Sequence, residues 1–570
     1  MGKMLDRRSF VEGIAAAGAA IAGAGLLGCT PNQTASAARK DDADGGADWL
    51  GDAPDVSEAD CVEVVETEVL VVGAGCAGYF AANFAAEEGA RVLLIEKNEA
   101  GCGIRDSALG AIGSRLQKAQ GVEIDKIELL NDLFTYANGQ VNIALHRIWA
   151  ENSGEAIDWY CDLAAQVEGV TVDLEWDMPQ EPTRYHHWPI AHGTNDGTDL
   201  VGGIQTAVVG KIMGALDARL VSNGGEIRYQ TPLVSLAKEG DRVVGAYAKN
   251  DQGDYVRINA SKGVIVATGG YVNNAEMYQA LQGQINKSVS GWCCHATFPA
   301  TGDGIKACLW AGARFDNVKT TMIFDRGLVR PDLEFDGPDS GGYYFALASQ
   351  PFLKVNLHGK RFCNESTPYD YVIHAANSFE NHAWYMVWDD GWASDVLRFH
   401  TTGCSTIDLH EGGDRQAAGL EATGAEIDDL VKQGLVVKAD TIEELGNRLG
   451  LDDVAAFGKT VDRANELFDA QRDDDFGKEP FRLAEVRKPP FYGAKLGGVS
   501  LCTLDGIAIN ERFQALDEHE TAIEGLYVLG NDSGSYYAST YPNLAVGMNA
   551  GRCVTHGMVC GREVAHVASL

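Results

Sequence analysis

Three glycines and one acid in TEVLVVGAGCAGYFAANFAAEEGARVLLIEK (residues 67–97) have the types and spacing to hold a dinucleotide. Gly73 permits a tight turn, Gly75 lets backbone approach a pyrophosphate, and Gly78 lets a helix pack closely on a strand. Backbone N–H groups at the start of that helix point at the phosphates, where the helix dipole favours negative charge. Glu96 follows Gly73 by 23 residues, where a carboxylate can accept from both hydroxyls of an adenosine ribose. Glycine-rich turns are common, so the elements around the motif carry the argument. Val69–Val72 reads as a buried strand, the Ala-rich stretch after it as a helix, and Val92–Ile95 as a second strand ending at the acid.

The rest of the chain is organised around that unit. From 61 to about 315, short apolar strands alternate with amphipathic helical stretches, as in an α/β sheet. Leu200 to Leu220 has helical spacing, and Val234–Ala237 and Val243–Ala248 read as paired strands about Glu239-Gly240-Asp241. Residues 263–270 (GVIVATGG) form a strand running into a glycine pair, a second place where backbone meets a dinucleotide. Thr301-Gly302-Asp303-Gly304 opens another helix. The texture changes over 316–490, with aromatic-rich loops followed by acidic helical segments, and is expected to form a separate domain. Beyond 491 the glycine-rich α/β pattern returns, with a buried strand at Leu526–Gly530 and a closing helix from Asn543 to Val554. The expected organisation is a dinucleotide domain (61–315 and 491–570) interrupted by an insertion (316–490).

Composition narrows the function. The 570 residues are 45% hydrophobic and 22% charged, a globular balance with room for two or three domains. The net charge of −35 argues against nucleic acid and against charge-driven docking on anionic lipid. Thirteen cysteines include no CxxC pair and no CxxCH, so zinc and ordinary c-type haem attachment are not expected; dispersed cysteines leave an iron–sulfur cluster open. Residues 1–38 are read as an address: Lys3, Arg7 and Arg8 precede an Ala/Gly-rich apolar stretch, and Asp6-Arg7-Arg8-Ser9-Phe10-Val11 resembles a twin-arginine export motif. Leu26-Leu27-Gly28-Cys29 resembles a lipoprotein cleavage box with Cys29 lipidated; cleavage after Ala35-Ser36-Ala37 is the alternative. Residues 39–60 are expected to form a flexible linker.

Five motifs taken together resemble the flavoprotein family of fumarate reductases, succinate dehydrogenases and 3-ketosteroid dehydrogenases. They are GAGCAG with Glu96, VIVATGG at 264–270, TGDG at 301–304, GKRFCNE at 359–365 and GLYVLGNDSG at 525–534. The resemblance implies an α/β fold: a Rossmann-like FAD-binding domain of glutathione-reductase type interrupted by an α+β capping domain. It implies FAD on Gly73, Ala74, Gly75, Cys76, Ala77 and Gly78, with Glu96, Lys97, Gly103, Ser107, Val234, Ala267, Thr268, Gly269, Asp303, Gly530, Asn531, Asp532, Asn543 and Leu544 also in contact. Noncovalent attachment is implied, since 101–113 holds no histidine. One strand-turn-helix motif is visible, so electrons are expected from an external carrier, a membrane cytochrome or a quinol-linked donor.

The departures from the family pattern bear on substrate. The family's His and Arg after the glycine-rich strand align with Tyr537 and Tyr541, and its acid, an arginine after the NE dipeptide, aligns with Tyr369. A dicarboxylate needs cationic partners, because burying unpaired charge is costly. Fumarate is therefore a poor candidate, and a C=C bond conjugated to a carbonyl in an enone or non-dicarboxylate acrylate suits phenols better. The expected chemistry is hydride transfer from flavin N5, with Tyr541 polarising the carbonyl, Tyr537 beside it and Tyr369 supplying the proton. The alternative is a ketosteroid-dehydrogenase-like enzyme working oxidatively. Arg361, His295 and the run Tyr185-His186-His187-Trp188 are further candidates to line the cavity, with Arg361 ranked first as a structural group.

Overall fold

A 12-residue strand, β1 (Cys61–Val72), runs through the computed structural model as the spine of the larger of two main sheets. The structure describes residues 49–102, 108–174, 183–196, 206–283, 285–292, 300–399 and 419–569. The export and lipidation motifs, Gly103, Ser107 and His295 lie outside these residues.

After β1 come α1 (Cys76–Glu87) and β2 (Val92–Ile95), the strand–helix–strand unit expected from the glycine motif. β1 pairs in parallel with β2 on one side and with β4 (Tyr255–Val266) on the other. β3 (Glu226–Arg228) extends the sheet beyond β2, and β8 (Ala522–Val528) extends it beyond β4, both in parallel. An antiparallel hairpin, Leu233–Glu239 with Arg242–Lys249, pairs onto β4 as expected. The inner half of β1, Val69–Val72, is buried on both faces, which a continuous β-branched run tolerates and an alternating strand would not. α1 is buried from Cys76 to Ala86, because the closing helix α5 (Met548–Ala565) lies across its outer side. That crossing is close: a Cβ on Gly557 would sit 2.6 Å from Ala77 O, and one on Gly561 2.3 Å from Ala81 O. Alanines on one helix facing glycines on the other make the approach possible.

The second sheet has seven strands and differs from the expected boundary. Its centre is β7 (Phe491–Thr503), which pairs with β5 (Thr321–Val329), β6 (Trp384–Trp388), Val289–Trp292 and Val436–Ala439. This sheet therefore draws on chain from both sides of 316–490, and β7 does not continue the dinucleotide sheet. Gly493, Gly497 and Gly498 gave β7 its glycine-rich look, but there they admit neighbouring side chains such as Leu449, Phe335 and Ile373. Helices at Leu420–Gln433, Ile442–Leu449 and Val454–Ala470 cover this sheet with their apolar stripes and leave acidic faces outward. Two further elements position the site: α2 (Lys126–Tyr136) in the first half and α4 (Tyr369–Ala376) in the second. Among the described residues no helix is long and apolar enough to cross a membrane.

Candidate functional site

The glycine motif folds into a cradle at the carboxyl end of β1. Gly73 has φ +102°, and a Cβ there would meet Ala267 O at 2.4 Å; one on Gly78 would meet Gly73 O at 1.8 Å. Gly75 is the N-cap of α1 and supplies no side-chain hydrogen bond to the first turn, whose N–H groups are then donors for phosphate oxygens. The buried Glu96 directly follows β2, its Oε2 accepting from Ala74 N (2.8 Å) and its Oε1 from Asn98 N (3.0 Å) and Nδ2 (2.5 Å). A carboxylate has about four lone-pair sites, so Oε2 retains one for a ribose hydroxyl. Replacing Glu96 by Ala removes that acceptor together with the brace on Ala74. We expect about 10–100-fold weaker FAD retention, read by titrating apoprotein with FAD and following flavin fluorescence.

The other cofactor candidates surround the same strand ends. Asp532 accepts from Gly270 N (2.9 Å) and Thr268 Oγ1 (2.8 Å), and also from Thr268 N, tying the 267–270 turn to the 530–532 turn. Burial pushes its carboxyl up to about 6 despite those donors. Lys97 Nζ reaches Thr301 Oγ1 and Asp303 Oδ2, both at 2.6 Å, and so holds the start of helix α3 (Asp303–Trp310) beside β2. Asn531 Oδ1 accepts from Asn549 Nδ2 (3.0 Å) and Gly530 O from Arg552 Nη2 (2.6 Å), fixing the first turn of α5 against the same segment. Val234 lies on the hairpin strand Leu233–Glu239. Asn543 and Leu544 lie elsewhere, in the pocket described next.

Tyr369 is the first residue of α4, carried on the 366–368 turn, and lines a pocket with His187, Ser349, Ser366, Asn543 and Leu544. The second half of the chain thus delivers a phenol to the loop that follows β8. On that loop Tyr536, Tyr537 and Tyr541 form a buried row, with ring centroids 4.8 Å apart for the first pair and 5.5 Å for Tyr537–Tyr541. Asn549 N donates to Tyr541 Oη (3.2 Å), so the Tyr541 hydroxyl acts as acceptor there. Tyr537 Oη has no hydrogen-bond partner among the described residues, and burial pushes its phenol well above the ordinary range, keeping it protonated. Two guanidiniums that motif alignment did not reveal stand behind these rings. Arg326 lies 5.8 Å from the Tyr369 ring and is bound to Ser349 Oγ and Tyr344 Oη; Arg552 lies 5.1 Å from the Tyr537 ring. Neither belongs to the pocket lining.

Asp370, next to Tyr369, was not anticipated. It is fully buried, and its Oδ1 accepts from Tyr136 Oη on α2 (2.8 Å) and from Asn543 Nδ2 (2.6 Å). α4 is thereby latched to two elements of the dinucleotide-binding half. Burial pushes the Asp370 carboxyl up to about 7, with Asp325 adding to the rise and the two donors opposing it. The unfolded carboxyl titrates near 4, so this group's contribution to stability is full below about pH 4 and is lost as pH rises through about 7. Asp370→Asn keeps a neutral acceptor in place. Its stability relative to wild type should rise across that window by up to a few kcal/mol, checked by thermal melts at a series of pH values.

The remaining candidates fall outside the pocket. Arg361 is saturated by Glu365 (2.8 and 2.7 Å) and Asp473 (3.0 and 2.7 Å), so it braces the 361–365 turn and does not line the cavity. Burial alone would raise the Glu365 carboxyl, but Lys478 and Arg361 outweigh it and hold it down at about 2. His186 is exposed, stacked on Trp188 at 4.1 Å and 3.7 Å from Glu128, and Tyr185 is partly exposed. From that run it is His187 that reaches the pocket. Adjacent histidines on extended chain point opposite ways, and only one can face inward.

A protein-family model described as an FAD binding domain matches residues 68–547. The vinyl phenol reductase of Lactiplantibacillus plantarum is 27% identical over 506 residues, covering 87% of this chain and 95% of that protein. The NADH:fumarate oxidoreductase of Klebsiella pneumoniae is 25% identical, covering 87% of this chain and 47% of that protein. Among solved structures, the 3-ketosteroid Δ1-dehydrogenase of Sterolibacterium denitrificans superposes with a TM-score of 0.66 at 20% identity, covering 88% of this chain and 99% of that one, a likeness of fold. With the cradle, the braced Glu96 and the match over most of its length, the chain belongs to the FAD binding domain family and is an FAD-dependent oxidoreductase of the kind that acts on C=C and CH–CH bonds.

Proposed function

We propose that the protein reduces a C=C bond conjugated to a carbonyl, in an enone or non-dicarboxylate acrylate, with electrons from an external carrier. One observation carries this reading: the pocket brings Tyr369 to the loop that also carries Tyr537 and Tyr541, which lie beside the lining, and no lysine or arginine lines the pocket among the described residues. A neutral acceptor fits such a wall, whereas each carboxylate of fumarate would be desolvated without a cation. FAD, when bound, supplies the hydride. The chain's own residues do the rest. Tyr541 donates a hydrogen bond to the substrate carbonyl and stabilises the enolate charge that develops there. Tyr369 Oη delivers a proton to the α-carbon, and burial of both phenols excludes water. The name of the Lactiplantibacillus relative, vinyl phenol reductase, describes a C=C bond conjugated to a ring, with no carboxylate and no carbonyl, so it supports the lack of carboxylates alone. Steroid-type oxidation would use the same phenols in reverse, and the structural likeness to ketosteroid dehydrogenase keeps that direction as the second reading.

The amino-terminal motifs support an exported enzyme lipidated on Cys29 and served by a membrane cytochrome or quinol-linked donor. Labelled palmitate that enters the wild-type protein and not Cys29→Ser supports the anchor; equal labelling rejects it. For the reaction, dithionite-reduced holoprotein is offered benzylideneacetone, a cinnamate ester, a steroid enone and fumarate, and products are identified by mass. A saturated ketone or ester two hydrogens heavier is the expected product. Turnover of fumarate alone rejects the reading.

A further inference from the structure

Three side chains lining the pocket carry buried polar atoms with no hydrogen-bond partner among the described residues: His187 Nε2, Ser366 Oγ and Asn543 Oδ1. All three residues are more than nine-tenths buried. What each one offers is set by its surroundings. Asn543 Nδ2 donates to Asp370 Oδ1 at 2.6 Å, which orients the amide and leaves Oδ1 as an acceptor lacking a donor. Burial, with Arg482 and His186 nearby, holds His187 far below the usual imidazole range, so its ring is neutral, with one donor and one acceptor nitrogen. Ser366 Oγ can donate or accept. Pro368, Tyr369 and Leu544 add apolar surface around them.

This set discriminates between ligand oxygens. A carboxylate only accepts, so it repels Asn543 Oδ1 and finds no cation among the described lining residues. A carbonyl also only accepts and leaves Asn543 Oδ1 desolvated and unpaired. A hydroxyl satisfies both needs: its O–H donates to Asn543 Oδ1 while its oxygen accepts from Ser366 or His187. We infer that this wall reads a hydroxyl group carried by the substrate away from its reducible bond, so that the enzyme acts on hydroxylated conjugated compounds. The hydroxyl belongs to a phenol or to an alicyclic alcohol. The inference rests on the reading above, that the pocket takes a conjugated acceptor.

The test compares kcat/KM of the holoenzyme for para-hydroxybenzylideneacetone with its para-methoxy and unsubstituted analogues, and for a hydroxylated cyclohexenone with its deoxy parent. The methoxy group retains the acceptor oxygen and loses the donor. A preference for the hydroxyl compound of about 10–100-fold is expected in one arm, and that arm distinguishes phenol from alcohol. Ser366→Ala should narrow the preference. Equal kcat/KM for hydroxyl, methoxy and unsubstituted compounds in both arms overturns the inference while leaving the proposed reaction intact. Should no compound oxidise the reduced flavin, the proposed reaction fails. The wall is then tested by titrating oxidised holoenzyme with the saturated para-hydroxyphenyl and para-methoxyphenyl ketones and following the flavin band. Tighter binding of the hydroxyl ketone supports the inference; equal dissociation constants overturn it.

Discussion

Gly78→Ala yields protein that holds no FAD, because the new methyl carbon falls 1.8 Å from Gly73 O, well inside contact distance. The clash is with backbone on both sides, so no side chain can rotate to relieve it. α1 must then lift off β1, which moves its first-turn N–H groups away from where the phosphates lie. The same shift opens the α1–α5 crossing, whose Gly557 and Gly561 allow no slack. Overpacking of a core contact costs about 1–3 kcal/mol, and a backbone–backbone overlap this deep belongs at or beyond the upper end. The flavin-to-protein absorbance ratio after purification checks it. A near-stoichiometric flavin content in the variant would mean that the glycine approach is not what positions the cofactor.

Tyr369→Phe and Tyr541→Phe each lower turnover strongly with FAD still bound, for different reasons. Tyr369 supplies the proton, and losing a positioned general acid costs about 10²–10⁴-fold. Tyr541 stabilises charge on the carbonyl, and losing one such donor costs about 10²–10³-fold. Both phenols are buried in one apolar cluster, so Phe fills each site with little loss of packing. A pH profile separates the roles. The Tyr369 variant should lose dependence on a donated proton and respond to small external acids, whereas the Tyr541 variant should keep the wild-type profile at lower amplitude. Flavin spectra before and after turnover confirm that cofactor loss is not the cause. Unchanged turnover in either variant removes that residue from the site.

The dinucleotide half was legible in sequence because its signals are local. Gly73, Gly78 and Glu96 fall within 24 residues, and each has a backbone role that few other residue types can fill. The hairpin at 233–249 and the strand at 522–528 were legible for the same reason, as alternating or continuous apolar runs bounded by turns. The pocket was legible only in part. It joins His187, residues 366–369 and residues 543–544, which are neighbours solely through the packing of α4 against the loop after β8. Motif alignment points to Tyr369, which lines the pocket, and to Tyr537 and Tyr541, which stand in the buried row beside it and not in its lining. Asp370 and Tyr136 were not found, since nothing in either local sequence announces a hydrogen bond spanning 234 positions. Arg326 was hidden on a strand, where an arginine usually reads as an exposed residue, yet β5 is buried along its whole length. β7 was misassigned because glycine-rich apolar sequence fits either sheet, and only its strand pairings decide.

The most direct test of the proposed reaction is a single-turnover experiment. Holoprotein reduced stoichiometrically with dithionite is mixed anaerobically in a stopped-flow instrument with para-hydroxybenzylideneacetone or with fumarate, and return of the oxidised flavin band is timed. Reoxidation at least about 100-fold faster with the enone is predicted, from uncompensated burial of the two fumarate carboxylates. Faster reoxidation by fumarate would show that cations reach the substrate after all, and would contradict the account.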